Sequence, residues 1–114
     1  MQHWAQAFGP DGSAYAYCRE TVSTAASFHA RMFAPGMGLS EDPATGGAAA
    51  AFSAVVHRFD APKEGINRLV IEQGFEMGRP STIRLEIVVA ASGQLKAARI
   101  GGHAVVVSEG VIEV

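Results

Sequence analysis

The most constraining feature of this chain is an alanine-rich apolar run in its middle, Ala48 to Val56, in which Ser53 is the only polar residue. With its flanking residues this run predicts a helix over residues 43–58, because alanine is the best helix former. A helix without a polar stripe is buried on all sides. In a chain of 114 residues only a sheet is available to surround it, so we expect strands wrapped around this helix.

Strand patterns on both sides of the helix supply that sheet. The clearest is 82–90, where Ile83, Leu85 and Ile87 alternate with polar residues. A short helix is predicted over 1–8, and the other strand-like segments are 13–20, 28–33, 67–73, 95–100, 104–108 and 111–114. We therefore predict an α+β fold in one domain, residues 1–114. Its curled, mostly antiparallel sheet of about five or six strands wraps around one central helix.

The residues just before the apolar run suit a helix N-terminus that is open to an anion. Pro43 fits the first turn, and Asp42 or Thr45 can cap it. Gly46 and Gly47 carry no Cβ, so a ligand can approach the free backbone N–H groups at the positive end of the helix dipole. The alternative is a well-capped buried helix that binds nothing.

Charge and composition exclude several classes of function. The formal net charge of -2 provides no electrostatic footprint for nucleic acid or an anionic membrane. The longest apolar stretch is too short to span a bilayer, and the first residues lack a signal-peptide pattern, so we expect a cytoplasmic protein. The single cysteine, Cys18, is predicted to be buried on a strand. The histidines lack metal-ligand spacing, so no metal site is predicted.

Several short motifs occur in an order and spacing that match a known family. They are Arg31–Gly36 (RMFAPG), Glu41–Gly46 (EDPATG), Gln73–Gly74 (QG) with Gly78–Ser81 (GRPS), and Ile100–Val105 (IGGHAV) with Glu109–Gly110 (EG). Together they resemble the C-terminal half of the PhzF-like phenazine-biosynthesis isomerases, which share the diaminopimelate epimerase-like fold. The resemblance covers roughly residues 12–114.

The resemblance implies a two-part enzyme that needs no cofactor. Each half is a sheet around a central helix, and the active site lies in the cleft between the halves. The glutamate that acts as general acid and base lies in the N-terminal half, in a motif with no counterpart here. The chain is therefore expected to be a partial domain or truncated gene product that is catalytically incomplete alone.

The resemblance also suggests roles for individual residues. Asp42 matches an aspartate beside the cleft that binds and orients substrate, although an aspartate here is also a good helix cap. Thr45, Gly46 and Gly47 match the site of the substrate carboxylate, where most members carry serine at the position of Gly47. Glu41 is expected to be solvated.

Arg79 in the GRPS motif has two interpretations. Its guanidinium could bind the anion, or it could pair with a glutamate in a structural turn, the candidates being Glu72, Glu76 and Glu86. His29 and His103 could line the cleft or be ordinary surface histidines.

Two classes of function remain open. The first is an enzyme-derived isomerase or epimerase half that binds a small carboxylate-bearing molecule and works with a separate N-terminal half. The second is a non-catalytic homodimerising module, because a sheet that lacks strands leaves unpaired edges that favour a symmetric dimer. A catalytic homodimer that uses Asp42 and Glu41 is a third possibility.

Overall fold

The computed structural model describes residues 2–10 and 12–114. Within them, two helices and six strands follow one another as α1 (Gln2–Phe8), β1 (Ala14–Cys18), β2 (Phe28–Ala34), β3 (Leu39–Asp42), α2 (Gly46–Asp60), β4 (Gly65–Gln73), β5 (Ser81–Val89) and β6 (Leu95–Gly101). Short 3₁₀ turns occupy Pro35–Met37 and Phe75–Met77. The predicted α+β class, with one main helix, is confirmed.

The strands form one mixed sheet in the order β1-β2-β4-β5-β6, with β3 pairing with β2 off this path. β2 and β4 are parallel, and the other described strand pairs are antiparallel. The predicted sheet, mostly antiparallel, is therefore confirmed. β3 was not predicted, because a proline and two glycines in residues 34–40 are typical of a loop.

β5 is the central strand of the more regular part of the sheet. It pairs with β4 without a break from Gly65 opposite Val89 to Gln73 opposite Ser81. Its alternate residues are buried, and Leu85 and Ile87 have no exposed surface. The alternation predicted for this segment is confirmed, because one face of β5 packs under α2 and the other carries Thr82, Arg84 and Glu86.

The core lies between the sheet and one side of α2. Ala49, Phe52 and Val56 point into it from the helix. The Phe52 ring makes edge contacts with Tyr15, Tyr17 and Phe28 at centroid distances of 5.7, 4.6 and 5.0 Å. Such edge-on aromatic contacts add to the stabilisation from burial alone. Phe52 therefore ties β1 and β2 to the helix.

Two expectations about α2 are wrong. The helix begins at Gly46 rather than residue 43, because the preceding residues are still extended and Thr45 is its N-cap. It is also not buried all round: Gly47, Ala51 and Ala54 are exposed. The sheet does not close around the helix, since β1 and β6 are its two outer strands. One apolar side of α2 therefore faces solvent.

The segment after β6 is the largest departure from the predicted pattern. Residues 102–114 have no regular secondary structure and are exposed. The strands predicted over 104–108 and 111–114 are absent from the described chain, where residues 102–114 pair with no strand. Cys18, predicted to be buried, is exposed at the end of the edge strand β1. Neither described helix has the length and hydropathy needed to cross a membrane.

Candidate functional site

A buried glutamine organises the turn that leads into α2. Gln73, at the end of β4, has no exposed surface. Its Nε2 donates to the Asp42 carbonyl oxygen at 2.8 Å and to Thr45 Oγ1 at 3.1 Å, and its Oε1 accepts from the Thr45 amide at 3.4 Å. A buried side-chain amide must satisfy both donors and acceptors, so it holds its partners in place. Gln73 thereby fixes the start of the helix relative to the sheet.

The N-terminus of α2 has no side-chain cap. Thr45 occupies the N-cap position with extended backbone angles, but its hydroxyl donates to Asp42 Oδ2 at 2.6 Å and makes no bond to a helix amide. Thr45 is therefore at the N-cap position, as one of the two expectations had it, but neither side chain bonds a helix amide, because the two side chains bond each other. The first helix amide with a backbone acceptor is that of Ala49, which donates to the Thr45 carbonyl at 3.1 Å. The preceding amides remain open to a ligand.

Beside this helix start lies an open cavity with a volume of about 490 Å³. We call it the helix-start cavity. Its walls come from the first residues of α2, the start of β5 and the end of β6: Ala44, Gly46, Pro80, Ser81, Thr82, Ile83, Ile100, Gly101, Gly102 and His103. Its lining contains hydroxyl, imidazole and backbone groups but no carboxylate. This arrangement favours an anionic guest.

His103 lines the cavity, and its contact with Arg84 defines its tautomer. Arg84 Nη2 lies 2.8 Å from His103 Nε2. Because a guanidinium can only donate, Nε2 must accept, and the proton of the neutral ring is on Nδ1. His103 therefore carries an N–H donor on the ring nitrogen that does not contact Arg84, and the Arg84 guanidinium adds positive charge next to the ring.

The predicted site residues do not all meet in one cavity. Gly46 lines the helix-start cavity, whereas Asp42 and Thr45 line a smaller pocket of about 170 Å³ on the other side of the turn. Gly47 is exposed on the first turn of α2, and a Cβ there would meet nothing within 4 Å. Arg79 is exposed next to the cavity residue Pro80. The helix start and the GRPS motif thus adjoin one cavity, with Asp42 held behind the turn.

The alternative predicted for Arg79, pairing with a glutamate, is wrong in the described residues. Glu72 and Glu76 are instead bonded by His29, whose Nδ1 lies 3.0 Å from Glu72 and whose Nε2 contacts Glu76. Both carboxylates accept, so both ring nitrogens must donate, and His29 is an imidazolium. Hydrogen bonding to Glu76 is the largest cause that raises the pKa of His29 above its ordinary value, and Glu72 adds to it.

Burial alone would raise the pKa of Glu72, but hydrogen bonds from His29 and the amides of Val22 and Ser23 outweigh burial and lower it. The pKa of Glu76 is lowered against the same effect of burial, chiefly by its bond to His29. This cluster stays charged and joins the segment after β1 to the end of β4. Its bonds are internal, which indicates a structural role.

Glu41 is not solvated as expected. Its two carboxylate oxygens accept from Arg31 at 2.8 and 3.0 Å, and 12% of its side chain is exposed. This two-pronged pair joins β2 to β3. Glu41 therefore has its charge satisfied within the chain.

No group of His, Cys, Asp or Glu residues in the described ranges could hold a metal ion. The functional residues that sequence reasoning missed are Gln73, Ser81 and Thr82. Gln73 belongs to the QG motif and Ser81 to the GRPS motif, but their role depends on the packing of β4 and β5 beside the helix start. A local sequence pattern does not indicate which strands pack beside a helix.

A second opening, which we call the aromatic groove, lies between β1 and the uncovered side of α2. Its volume is about 460 Å³, and it is lined by Ser13, Tyr15, Tyr17, Met32, Thr45, Ala48, Ala51, Phe52 and Val55. The Tyr15 hydroxyl is buried with no hydrogen-bond partner in the described structure. Burial raises the pKa of Tyr15 to about 12. A buried hydroxyl without a partner is uncommon and calls for an explanation.

Comparison with known proteins agrees with the fold and the motifs. An uncharacterized isomerase of Mesorhizobium japonicum is 60% identical over 98 residues, which cover 86% of this chain and 32% of that protein. An uncharacterized isomerase of Deinococcus radiodurans is 39% identical over 102 residues, covering 87% of this chain and 32% of that protein. The chain therefore spans about a third of the length of these curated relatives.

A comparison with solved structures identifies the same family. The crystal structure of the Bacillus anthracis phenazine biosynthesis protein, PhzF family, matches with a TM-score of 0.71 and 25% sequence identity. The match covers 82% of this chain and 32% of that one. A family model described as phenazine biosynthesis-like protein matches residues 7–110. This chain belongs to the phenazine biosynthesis-like family, whose solved member named above is of the PhzF type.

Proposed function

We propose that this chain is one part of a PhzF-like, cofactor-free isomerase or epimerase, and that it binds a small carboxylate at the N-terminus of α2. The observation that carries the proposal is the uncapped helix start beside the helix-start cavity. Gly46 lines that cavity, with the Ile100 side chain packed where a Cβ would lie, and Thr45 directs its hydroxyl to Asp42 instead of the helix amides. The amides there are therefore available to an anion.

The expected affinity is weak. The helix dipole and its free amides stabilise an anion by about 0.3–2 kcal/mol, and the Nδ1–H of His103 adds one hydrogen bond of about 1 kcal/mol. With some apolar contact, a small carboxylate is expected to bind with a Kd on the order of 1 mM. A second wall from another chain would increase this affinity by excluding water.

We also infer that the chain does not catalyse proton transfer alone. Such isomerisation needs a carboxylate or similar base within reach of the acidic C–H group. The helix-start cavity has no carboxylate in its lining, Asp42 bonds Thr45, and Glu41 bonds Arg31. Asp42 is therefore assigned to orienting the turn, and the acid and base come from another polypeptide segment.

The test is a titration followed by NMR or calorimetry at constant ionic strength. Benzoate is the probe, and benzamide is its neutral control of the same shape. Gly47→Asp supplies an internal carboxylate at the first turn, and Gly47→Asn is its uncharged match. Gly47 is exposed and has room for a side chain, so neither variant disturbs packing.

Benzoate is expected to bind the parent chain and Gly47→Asn, with shifts at the amides of residues 46–48. Gly47→Asp is expected to lose at least tenfold in affinity without loss of stability, because a carboxylate there favours the helix dipole. Equal binding of benzamide, or unchanged affinity in Gly47→Asp, contradicts the proposal. Deuterium exchange of small carboxylates in D₂O by the parent chain, lost in Asp42→Asn or Glu41→Gln, contradicts catalytic incompleteness.

A second candidate function is that of a homodimerising, non-catalytic module. It is favoured by the exposed apolar residues after β6, which include Val105, Val107 and Ile112, and by the free sheet edges. Sedimentation at micromolar concentration tests it: a stable dimer is expected, and a monomer refutes it. A dimer and carboxylate binding are compatible, since the two surfaces differ.

A further inference from the structure

The 3₁₀ turn that follows β4 is held against the sheet by a histidine. His29 alternates along β2 with residues of the core, so it lies on the face of the sheet away from α2. Its Nδ1 lies 3.0 Å from Glu72 Oε1 on β4, and its Nε2 contacts Glu76 Oε2 in the turn. The His29 ring also makes an edge contact with the Phe75 ring, at a centroid distance of 5.6 Å. His29 therefore bridges a strand and the turn.

This turn leads directly into one wall of the helix-start cavity. Residues 80–83 follow the turn and line that cavity. The Gly74 carbonyl accepts from the amides of Met77 at 3.2 Å and Arg79 at 2.9 Å, which closes the turn. A Cβ at Gly74 would lie 2.7 Å from the Pro43 carbonyl oxygen, so the turn also packs against the residues before α2. The position of the turn therefore affects where residues 80–83 lie relative to the helix start.

The protonation of His29 decides how many of its contacts can form. Both carboxylates only accept, so the ring bonds both of them only as an imidazolium, with a proton on each nitrogen. A neutral ring has one N–H and can donate to one glutamate. Glu72 keeps this bond, because a bare ring nitrogen would place a lone pair against a carboxylate that is 2% exposed, whereas Glu76 is 33% exposed and can turn to water. Loss of the ring proton therefore releases Glu76 and the turn.

The groups around the ring stabilise its charged form. Those that face His29 or its neighbour on β2 are Arg31 on β2, Tyr17 and Cys18 on β1, Glu41 on β3, Glu72 on β4 and Glu76 in the turn. Arg31 is bonded by Glu41 at 2.8 and 3.0 Å, so its charge is already paired. Hydrogen bonding to Glu76 is the largest cause that raises the pKa of His29 above its ordinary value of 6.5. The imidazolium is therefore complete below pH 6.5 and is lost as pH rises through the raised pKa.

We propose that His29 is a positioning residue for the helix-start cavity: its imidazolium holds the turn through Glu76, and loss of the ring proton moves residues 80–83 and weakens carboxylate binding. This inference rests on the proposed carboxylate site and identifies its regulation by pH. Because the two events are linked, the ligand raises the affinity of His29 for its proton by the same factor. A coupling of about tenfold is usual for linked sites.

The first experiment follows the ring resonances of His29 by NMR while pH is raised from 5 to 10, without benzoate and with saturating benzoate at constant ionic strength. A tenfold coupling raises the midpoint of the His29 titration by about one pH unit. The amides of Ser81 and Thr82 are expected to change with the same midpoint. The ring of His103, which lines the cavity, is assigned separately so that its own titration is distinguished.

Substitutions at His29 separate the charge of the side chain from its presence. His29→Arg carries a permanent cation with several donors, and the adjoining cavity of about 200 Å³ provides room for it. Its benzoate Kd is expected to equal that of the parent at pH 6 and to stay constant past the midpoint of the parent's titration. His29→Gln carries no charge and is expected to bind about tenfold more weakly throughout this range.

The link to the turn is tested with a matched pair of glutamates. Glu76→Ala removes the carboxylate that joins His29 to the turn, whereas Glu64→Ala removes an exposed carboxylate after α2. Glu76→Ala is expected to bind benzoate about tenfold more weakly at pH 6 and to show no benzoate-induced change in the His29 midpoint. Glu64→Ala is expected to match the parent in both measurements.

The outcomes distinguish the regulation from the site itself. A parent chain that does not bind benzoate at pH 6 overturns the carboxylate site and the regulation together. A parent chain that binds benzoate without any change in the His29 midpoint overturns the regulation alone, as does equal affinity of His29→Arg and His29→Gln past that midpoint. The NMR titration uses the unchanged chain, so its result stands even if a variant does not fold.

Discussion

Substitution of Gly74 tests how closely the loop after β4 packs against the residues that precede α2. Gly74 and Gly78 flank the same 3₁₀ turn, and both have left-handed backbone angles, with φ of 83° and 69°. Their surroundings differ. A Cβ at Gly74 would overlap the carbonyl oxygens of Arg79 and Pro43, whereas a Cβ at Gly78 would meet nothing within 4 Å. The two glycines are therefore matched in conformation and unmatched in packing.

The magnitudes follow from this difference. An alanine in the left-handed region costs about 1 kcal/mol, which is the whole expected effect of Gly78→Ala. Gly74→Ala adds an overlap with backbone atoms that cannot rotate away, and relieving such overpacking costs about 2 kcal/mol more. Since Pro43 precedes the helix start, the shift should also move the amides of Gly46 and Gly47. Benzoate affinity is therefore expected to fall in Gly74→Ala and to stay constant in Gly78→Ala.

The assay is urea unfolding followed by circular dichroism at one fixed protein concentration, because association adds to apparent stability. Gly74→Ala is expected to lower the free energy of unfolding by about 3 kcal/mol and Gly78→Ala by about 1 kcal/mol. Equal losses in the two variants would refute the reasoning, since backbone conformation alone would then explain both. If Gly74→Ala lowers the free energy of unfolding strongly but leaves benzoate affinity unchanged, the position of this loop does not affect the anion-binding site.

Three further predictions concern the buried amide, the core and the charged cluster. Gln73→Met keeps the side-chain length but leaves the Asp42 carbonyl without its 2.8 Å donor, and urea unfolding is expected to show a loss of about 2 kcal/mol. Leu85→Ala removes a side chain with no exposed surface, so the same assay should show a loss of about 3 kcal/mol, and a loss below about 1 kcal/mol would mean that the core is loosely packed. His29→Gln removes the imidazolium between two glutamates. The raised pKa of His29 means that its stabilisation is complete below its ordinary value of 6.5 and is lost as pH rises through the raised value. The lowered pKa values of Glu72 and Glu76 mean that their share is complete above 4.5 and is lost as pH falls further. The stability gap between the parent chain and His29→Gln is therefore expected to be widest between pH 4.5 and 6.5 and to narrow on both sides, and a flat gap across pH 3–9 would contradict the charged pairing.

The helix and sheet were predictable because their signals are local and periodic. The apolar run at Ala48–Val56 indicated a helix, and the alternation around Leu85 indicated a strand with one buried face. Both patterns reflect the side-chain spacing of the element itself. The exposed side of α2 could not be predicted in this way, since the pattern shows what the helix requires and not whether the chain contains enough strands to cover it.

The candidate site was predictable only in part. The motif around Thr45 and Gly46 indicated that a helix begins in this segment, because proline, acidic and glycine residues have local preferences there, but the predicted start at residue 43 was three residues too early. The expectation of a side-chain cap failed because the Thr45 hydroxyl bonds Asp42 and Gln73 instead of a helix amide. Gln73 lies on a strand, 28 residues away from Thr45 in sequence. Long-range hydrogen bonds of this kind depend on which strand passes beside the helix, and they produce no periodic pattern in the sequence.

The segment after β6, residues 102–114, shows most clearly what a local sequence pattern cannot predict. The residues around Val106 and Ile112 have strand composition as clear as that of β6, yet β6 pairs with β5, whereas residues 102–114 pair with no strand among the described residues. A strand is stabilised by its partners, since its backbone groups and side chains are satisfied across the ladder. Composition can therefore indicate that a segment requires a neighbour without identifying the molecule that supplies it.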